Sequence, residues 1–168
     1  MSKSIPELPY YCAMPNHHVE YHHDGDAGLD LPIWDEKLTN GELSTDGTYL
    51  LKAGESITLK TGIYMAIPEG HYGLLDSRSG TSKKKLDLLC RIIDSPLRGN
   101  IRVAIINLNK EDVLIRNGDE LFQIVVQEYK KVKPVHFDSL EAFLEYAGNT
   151  ERGADGFGSK ERKKQGGN

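Results

Sequence analysis

Hydrophobic residues recur at every second position along much of the chain. In residues 56–60, Ile57 and Leu59 alternate with polar residues, and the same period continues in residues 63–67 and 101–106. A period of two places alternate side chains on one face of a β-strand, whereas an α-helix has a period of 3.6 residues. The pattern therefore predicts strands that each turn one face toward a core.

Turns that contain glycine separate these alternating segments. They fall at residues 52–54, 68–70, 98–100 and 117–119, where glycine lets the backbone reverse its direction. Many short strands joined by such turns are typical of an all-β sandwich or barrel. We therefore predict an all-β domain over residues 1–148.

One segment near the end of this domain has helical spacing instead. Asp138 or Ser139 can cap its N-terminus, and Gly148 can end it. Apolar residues between these positions recur at helical spacing: Leu140, Phe143 and Leu144. We expect a short helix that packs on the barrel.

The last twenty residues change in character. Residues 149–168 are rich in Gly, Lys, Arg and Glu, and Phe157 is their only aromatic residue. Because this composition cannot form a core, we predict a flexible C-terminal arm. An aromatic side chain in such an arm suits a segment that closes over a flat ligand.

Composition and charge narrow the class of protein. A chain of 168 residues can bury a core without disulfides, and Cys12 and Cys90 form no CxxC pair, which favours reduced thiols in the cytoplasm. The net charge of −4 gives no overall positive field for a nucleic-acid partner. No stretch approaches the roughly 20 apolar residues of a membrane helix, and the N-terminus shows no signal peptide.

Two segments in the first half of the chain combine charge, glycine and hydroxyl groups. Asp30 follows a glycine turn at the start of a strand, where its carboxylate can lie near a bound cation. Arg78 can hold phosphate oxygens with two hydrogen bonds, Ser79 can donate to the same oxygens, and Gly80 permits their close approach. Each segment taken alone is also typical of an ordinary surface turn.

Three further segments carry candidate site residues. Asp94 follows apolar residues at the end of a strand, where a partly buried carboxylate can remove a proton from water. The two strand segments around residues 95–100 can form a hairpin. Gln123 is a polar residue in an apolar run and needs hydrogen-bond partners, either in the core or on a ligand. In the arm, Arg152 can pair with phosphate, and Phe157 can stack on a base.

In their order along the chain, these five segments resemble the five motifs of the trimeric dUTPase family. The family patterns are A-G-x-D-L, R-S-G, V-I-D followed by Y-R-G, G-D-R-x-x-Q and R-G-x-G-G-F-G-S. The corresponding segments here are residues 27–31, 78–80, 92–94 with 98–99, 118–123 and 152–159. The resemblance extends from Asp26 to Ser159, and five motifs in one order are far more specific than any single motif.

The resemblance implies a fold, a reaction and an assembly. The fold would be an all-β, jelly-roll-like β-barrel with one short helix and a flexible C-terminal tail. The reaction would be Mg²⁺-assisted hydrolysis of dUTP to dUMP and pyrophosphate. The protein would be a homotrimer whose active sites lie between subunits, with the fifth motif supplied as a tail by the third subunit.

The resemblance also implies roles for individual residues. Asp94 would be the general base, and Asp30 would hold the water shell of the magnesium ion. Gln123 would contact the α-phosphate, and Arg152 the γ-phosphate. Phe157 would cover the uracil. The remaining substrate-binding residues implied by the motifs are Arg78, Ser79, Gly80, Ile92, Ile93, Leu97, Gly158 and Ser159.

The chain departs from the family pattern in several places. Leu97 replaces the usual tyrosine against the deoxyribose; a leucine can block a 2′-hydroxyl group but cannot stack on the sugar. Arg91 replaces a glycine, and Asp155 replaces another in the fifth motif. Segments 32–48 and 131–150 look expanded, and either can contact a protein partner.

Other interpretations remain open at this point. A dCTP deaminase shares the fold, but its H-x-T-A-G string is absent here. A dUTP-binding regulator that signals through the expanded segments would bind the nucleotide with little turnover. Alternation could place His18, Glu20, His22 and Asp24 on one face of a first strand, either as a metal site or, more simply, as a solvated strand. Residues 83–85 form a lysine run that we expect to be solvated.

Overall fold

The structure, a computed structural model, describes residues 5–153. The chain divides into two compact units, Met1–Lys131 and Val132–Asn168. Within the described residues, no helix combines the length and the apolar character needed to cross a membrane.

The first unit consists mainly of short β-strands, as the period of two predicts. Among the described residues they are β1 (Tyr10–Cys12), β2 (Leu29–Pro32), β3 (Thr48–Leu51), β4 (Ser56–Lys60), β5 (Ile63–Met65), β6 (His71–Ser77), β7 (Leu86–Leu88), β8 (Ile92–Asp94), β9 (Arg102–Asn107), β10 (Val113–Arg116) and β11 (Glu120–Glu128). A 3₁₀ helix (Glu36–Leu38) and a short helix α1 (Ser79–Lys83) connect some of them.

All the strand pairs are antiparallel and form four sheets within the described residues. Two sheets contain most of the strands, in the orders β2-β11-β6-β8 and β4-β9-β7, and the pairs β1-β5 and β10-β3 complete the fold. Buried side chains from these strands form one core. In β9, for example, Val103 and Ile105 are buried while Arg102 is exposed, which confirms the alternation predicted for this segment.

The expected hairpin around residues 95–100 is wrong. β8 pairs with β6, whereas β9 pairs with β4 on one side and with β7 on the other. Both edges of β9 are therefore occupied, and β8 satisfies its backbone groups in a different sheet. Residues 95–101 connect the two sheets.

The segment that follows β6 forms a helix where the sequence indicated a turn. α1 begins at Ser79, directly after Arg78, and the buried Thr81 hydroxyl donates to the Leu121 carbonyl oxygen. This side-chain hydrogen bond anchors the helix to the start of β11. Lys83 and its two lysine neighbours are exposed, as predicted.

The second unit contains α2 (Leu140–Ala147), which confirms the predicted helix. Ser139 is the cap, since its hydroxyl accepts from the Ala142 amide at 3.1 Å, and Gly148 ends the helix at φ +72°. Phe137 packs against Phe143 and Tyr146, with ring centroids 6.1 and 5.1 Å apart. No residue of α2 is buried, and its packing on the barrel stays a prediction.

Candidate active site

Three neighbouring strands bring the first, second and fourth motifs together. β11 lies between β2 and β6, and Gln123 is paired with Asp30 on one side and with Asp76 on the other. Phe122 is paired with Ser77, the last residue of β6, so that Arg78 and α1 follow directly beside β11. The register of this sheet therefore places residues far apart in the sequence at one end of it.

These residues line a pocket of about 670 Å³, which we call the Arg78 pocket. It contains four of the site residues predicted from the sequence: Asp30, Arg78, Ser79 and Gln123. Its complete lining is His22, His23, Asp26, Ala27, Gly28, Asp30, Arg78, Ser79, Glu120, Gln123 and Val125.

Ion pairs to two carboxylates hold the guanidinium group of Arg78. Its Nη2 lies 2.8 Å from Oδ2 of Asp30, and its Nη1 lies 3.0 Å from Oε2 of Glu120. Nη1 also donates to the backbone oxygen of Glu120 at 3.0 Å. Because Asp30 is only 8% exposed, placing its carboxylate here is costly unless such partners stabilise it. The arginine is thus fixed in orientation at the wall of the pocket.

Two histidines join this network, and sequence reasoning did not assign them to it. His22 Nε2 lies 2.9 Å from Oδ2 of Asp30. His17 Nδ1 lies 4.0 Å from Oε1 of Glu120, and His17 Nε2 is buried without a hydrogen-bond partner in the described part of the chain. The expected strand with His18 and His22 on one face is wrong, because residues 13–28 form no strand and residues 23–26 form a turn. In that turn the backbone amide of Asp26 donates to the His23 carbonyl oxygen, and the Asp26 carboxylate accepts from the backbone amide of His23.

Glu120 was also missed, although the sequence contained a signal. The family pattern has arginine at the third position of G-D-R-x-x-Q, and this chain has Glu120 there. The side chain faces the Arg78 pocket and pairs with Arg78. A change from a positive to a negative residue beside a predicted phosphate ligand marks the position as one that alters the site.

A close approach between Gly28 and Gln123 explains the glycine of the first motif. A Cβ atom on Gly28 would lie 2.0 Å from Oε1 of Gln123, well inside any possible contact. Gln123 is half-buried, and its amide nitrogen donates weakly to the Ser77 carbonyl at 3.5 Å. Glycine at position 28 therefore leaves room for the amide side chain at the pocket wall.

The second motif opens α1 at the same pocket. Ser79 and Gly80 are its first two residues, and their amides precede the first hydrogen bond of the helix, which the Thr81 amide donates to the Arg78 carbonyl. A Cβ atom on Gly80 would meet only open space. Ser79, which lines the pocket, can thus donate its hydroxyl and its backbone N–H to an anionic group there.

Asp94 lies in a different place. It is the last residue of β8 and is paired with Tyr72, near the start of β6, whereas Arg78 follows the end of β6. Five residues of β6 lie between Tyr72 and Arg78, and the six steps from one to the other correspond to about 20 Å. Asp94 lines a second pocket of about 480 Å³, together with Ser95 and Arg98. One chain therefore keeps the predicted base and the predicted phosphate ligands apart.

The predicted partial burial of Asp94 is wrong for the single chain. Within β8 only Ile93 faces the core, and the flanking Ile92 and Asp94 point outward, as the period of two requires. The residues that follow, 95–99, form with Asp94 what we call the Asp94 loop. Its backbone is tied internally, because the Leu97 amide donates to the Asp94 carbonyl at 3.1 Å.

Arg98 stabilises the same loop, and the apolar side chains beside it are exposed. The guanidinium group of Arg98 donates to the carbonyl oxygens of Ser95 and Leu97 at 2.6 and 2.8 Å. Ile92 is 50% exposed and Leu97 is 38% exposed. Two of the predicted contact residues around Asp94, Ile92 and Leu97, are thus exposed apolar side chains on one chain, whereas Ile93 is buried in the core.

The residues predicted for the fifth motif are only partly described. Arg152 belongs to the second unit and is exposed. Phe157, Gly158 and Ser159 lie outside the described residues, so their predicted contacts remain predictions.

One group of side chains in the Arg78 pocket has ligand atoms that could hold a cation. A ring nitrogen of His22 and carboxylate oxygens of Asp30 and Glu120 lie within 4.8 Å of one another. Carboxylate oxygens are the ligands that Mg²⁺ prefers, and Mg²⁺ usually keeps several water molecules. The two carboxylates therefore fit a hydrated magnesium ion at this wall of the pocket.

An antiparallel β-fold whose pocket presents an arginine, a serine and helix N-terminal amides is typical of the class of phosphate-binding proteins. Comparison with known proteins identifies the family within this class. The family model for dUTPase matches residues 15–160, and the chain belongs to the dUTPase family.

Relatives match over nearly the whole chain. The deoxyuridine 5′-triphosphate nucleotidohydrolase of Finegoldia magna is 31% identical over 161 residues, which is 94% of each protein. That of Rickettsia bellii is 33% identical over 143 residues, which is 83% of this chain and 84% of the relative. The similarity therefore includes the β domain and most of the segments on either side of it.

Solved structures of phage dUTPases have the same fold. The dUTPase of Staphylococcus bacteriophage 80alpha with dUpNHpp has a TM-score of 0.68 and 26% identity, covering 92% of this chain and 98% of the phage chain. A mutant dUTPase of phage phi11, described with a structural Mg(II) ion, has a TM-score of 0.65 and 25% identity, covering 81% and 99%. These similarities confirm the predicted all-β, jelly-roll-like fold.

Proposed function

We propose that this protein hydrolyses dUTP to dUMP and pyrophosphate. Membership of the dUTPase family supports this proposal, as do the names of its relatives. The Arg78 pocket supports it chemically, because it provides fixed donors for phosphate oxygens. The two cysteines are free thiols, which fits a reaction in the reducing cytoplasm.

The phosphates would bind at the Arg78 pocket. Arg78 has further N–H groups beyond those that pair with the two carboxylates, and Ser79 and Gly80 add a hydroxyl group and backbone amides. Gln123 would donate its amide N–H to the α-phosphate. Arg152, from the C-terminal arm, would neutralise the γ-phosphate. Phosphoryl transfer depends mainly on such positioning and charge neutralisation.

The Asp94 loop would hold the nucleoside and the attacking water. Asp94 would accept a proton from the water as its oxygen bonds to the α-phosphorus, and the bond to the bridging oxygen would break to release pyrophosphate. Ile92, Ile93 and Leu97, with the loop backbone, would contact the uracil and deoxyribose. Phe157, Gly158 and Ser159 would cover the base from the arm.

A magnesium ion would accompany the substrate. When bound, it would supply positive charge to the phosphate oxygens and stabilise the leaving group. Asp30 would hold the ion through a water molecule, while its other interactions keep Arg78 in place. The carboxylate thus links the position of the arginine to that of the cation.

The main support for an assembly of several subunits is the separation of Asp94 from Arg78. About 20 Å of β6 lie between them in one chain, which is too far for both to act on one α-phosphate. A closed homotrimer would bring the Asp94 loop of one subunit to the Arg78 pocket of the next, with the arm from the third. We therefore propose that each active site forms between subunits.

The first experiment measures pyrophosphate release from dUTP, UTP, dTTP and dCTP, with and without Mg²⁺. We expect rapid pyrophosphate release from dUTP and not from the other three nucleotides, and only when Mg²⁺ is present. Asp94→Asn should lose most of this activity. Binding of dUTP without pyrophosphate release by the unaltered protein would contradict the proposed activity.

A mixing experiment tests the intersubunit site. Asp94→Asn and Arg78→Ala are each expected to be nearly inactive alone. Unfolded together and refolded at equal amounts, they should regain activity in about a quarter of the sites, which combine an intact Asp94 with an intact Arg78 from a neighbour. An active site confined to one chain would show no recovery, and native-state mass measurement checks the trimer directly.

A regulatory role is the second candidate. The dUTPase of phage 80alpha is described as controlling transfer of virulence genes by a G protein-like mechanism. In this chain, the expanded segment 131–150 contains α2, whose Leu140, Phe143 and Leu144 are exposed. A protein partner could bind this apolar surface. The regulatory proposal alone predicts tight nucleotide binding with little turnover, so the pyrophosphate assay distinguishes it from catalysis.

A further inference from the structure

The Arg78 pocket has an unexpected net charge for a triphosphate site. Its lining contains three carboxylates, Asp26, Asp30 and Glu120, against one guanidinium group, Arg78. These four side chains together carry a formal charge of −2. A nucleoside triphosphate carries about four negative charges near neutral pH. The pocket therefore repels the free nucleotide unless a cation accompanies it.

Glu120 adds the second negative charge that lies directly against Arg78. Its carboxylate lies 3.0 Å from Nη1 of Arg78, while Asp30 lies 2.8 Å from Nη2 of the same group. One positive charge thus faces two negative charges at contact distance. With Asp30 alone, Arg78 would form a neutral pair; with Glu120 added, the cluster carries a net negative charge beside the predicted phosphate ligands.

We propose that Glu120 is a specificity-determining residue that makes this pocket select metal-bound over metal-free nucleoside triphosphate. Mg²⁺ cancels about two of the four nucleotide charges, which roughly halves the repulsion from Glu120. The carboxylate oxygens of Glu120 and Asp30 also face a hydrated cation favourably, since their ligand atoms lie within 4.8 Å of each other. This proposal rests on the proposed dUTPase function.

A purely structural role for Glu120 makes a different prediction. If Glu120 served only to orient Arg78, its loss would weaken the binding of both nucleotide forms by a similar factor. A charge effect changes their ratio instead, because free and metal-bound nucleotides differ in charge but not in shape at the base. The ratio of the two dissociation constants therefore separates the two roles.

The test measures binding of dUpNHpp, a non-hydrolysable dUTP analogue, by titration calorimetry with either Mg²⁺ or EDTA present. We expect Glu120→Gln to lower the ratio of the metal-free to the metal-bound dissociation constant by about tenfold, as expected for removal of one nearby charge. Glu120→Asp, which keeps the charge, should leave the ratio near its original value.

A matched control removes the same charge elsewhere. Glu42 pairs with Lys37 on the surface and is outside the lining of the Arg78 pocket, so Glu42→Gln should leave the ratio unchanged. If Glu120→Gln does not give a cooperative thermal melt, the unaltered protein provides the test. Raising the salt concentration from about 0.05 to 0.5 M should then lower the ratio of its metal-free to its metal-bound dissociation constant, because salt screens the repulsion between carboxylates and phosphates.

The outcomes separate this inference from the proposed function. An unchanged ratio in folded Glu120→Gln, or a ratio in the unaltered protein that salt does not reduce, would overturn the role of Glu120 and leave the dUTPase proposal intact. Failure of the unaltered protein to bind dUpNHpp in either condition would overturn the proposed function itself.

Discussion

The Arg78 pocket and the Asp94 loop differ in how much of their organisation one chain provides. In the pocket, strand register places Gln123 beside Asp30, and Arg78 has three fixed interactions with Asp30 and Glu120. In the loop, the hydrogen bonds at Leu97 and Arg98 stay within the turn, and Asp94 is exposed. The comparison indicates that the fold of one chain preorganises the Arg78 pocket but leaves the Asp94 loop exposed, as the proposed intersubunit site requires.

Burial is the physical cause of this difference. A carboxylate such as Asp30, which is nearly buried, is costly unless it is paired, so the core and the ion pairs stabilise each other. An exposed carboxylate such as Asp94 stays hydrated and needs no partner for the chain to fold. Substitutions in the pocket should therefore affect both stability and function, whereas substitutions in the loop should affect function alone.

The largest expected effect is that of Asp94→Asn. Loss of the proposed general base should lower kcat by about 10²- to 10⁴-fold, while the melting temperature stays unchanged because the side chain is exposed. Steady-state kinetics and differential scanning calorimetry measure the two quantities. Asp112→Asn, which removes a surface carboxylate paired with Lys52, serves as the control; a marked fall in the stability of Asp94→Asn would erase the contrast between the regions.

Arg78→Ala should have the next largest effect and should lower both the stability and the activity. It leaves the carboxylate of Asp30 without its guanidinium partner, so we expect a loss of about 1–2 kcal/mol in the free energy of unfolding. The value of kcat/KM should fall about 100-fold through the loss of charged hydrogen bonds to phosphate. Urea unfolding and kinetics check both results.

A matched arginine sharpens this second prediction. Arg91 pairs with Asp76 and Asp87, but all three side chains are more exposed than Asp30. We expect Arg91→Ala to cost less than about 1 kcal/mol, as is usual for surface ion pairs. Equal losses of unfolding free energy in Arg78→Ala and Arg91→Ala would show that the burial of Asp30 does not strengthen its ion pair.

Gly28→Ala should raise KM for dUTP about tenfold without unfolding the protein. The new methyl group would lie 2.0 Å from Oε1 of Gln123, so the amide must leave its position at the pocket wall. A double-mutant cycle checks this cause. If displacement of Gln123 is the whole effect, adding Gly28→Ala to Gln123→Ala changes nothing further, and a fully additive result would rule the explanation out.

The smallest expected effect is that of Leu97→Ala on sugar discrimination. Leu97 is proposed to exclude the 2′-hydroxyl by its bulk alone, so the shorter side chain should reduce the preference for dUTP over UTP by about threefold to tenfold. Competitive kinetics with both nucleotides measures this preference. Leu89→Ala, at an exposed leucine outside the Asp94 loop, should leave the preference unchanged, and an unchanged preference in Leu97→Ala would assign the discrimination to another group.

Much of the fold was predictable because its signals are local. The alternation in β4, β5 and β9 follows from which side chains must face the core, and the ends of α2 follow from the capping groups of Ser139 and Gly148. The ordered motifs identified the family for the same reason, since each is a short segment with its own chemistry. Four of the residues predicted from them meet in the Arg78 pocket.

Strand pairing was not predictable from the same signals. The hairpin expected between β8 and β9 would satisfy backbone hydrogen bonds as well as the observed pairing of β8 with β6. The choice depends on which neighbours bury the most apolar surface across the whole domain, and period-two patterns carry no information about neighbours. The exposure of Asp94 follows from this pairing.

The sequence by itself determined the class of fold, the helix near its end, the family and the identity of most candidate site residues. Tertiary structure alone decided that Glu120 and His22 join Arg78 and Asp30, and that Asp94 lies at the far end of β6. The reason is that side-chain chemistry and periodicity are properties of neighbouring residues along the chain. Distances between strands arise only when the whole core packs.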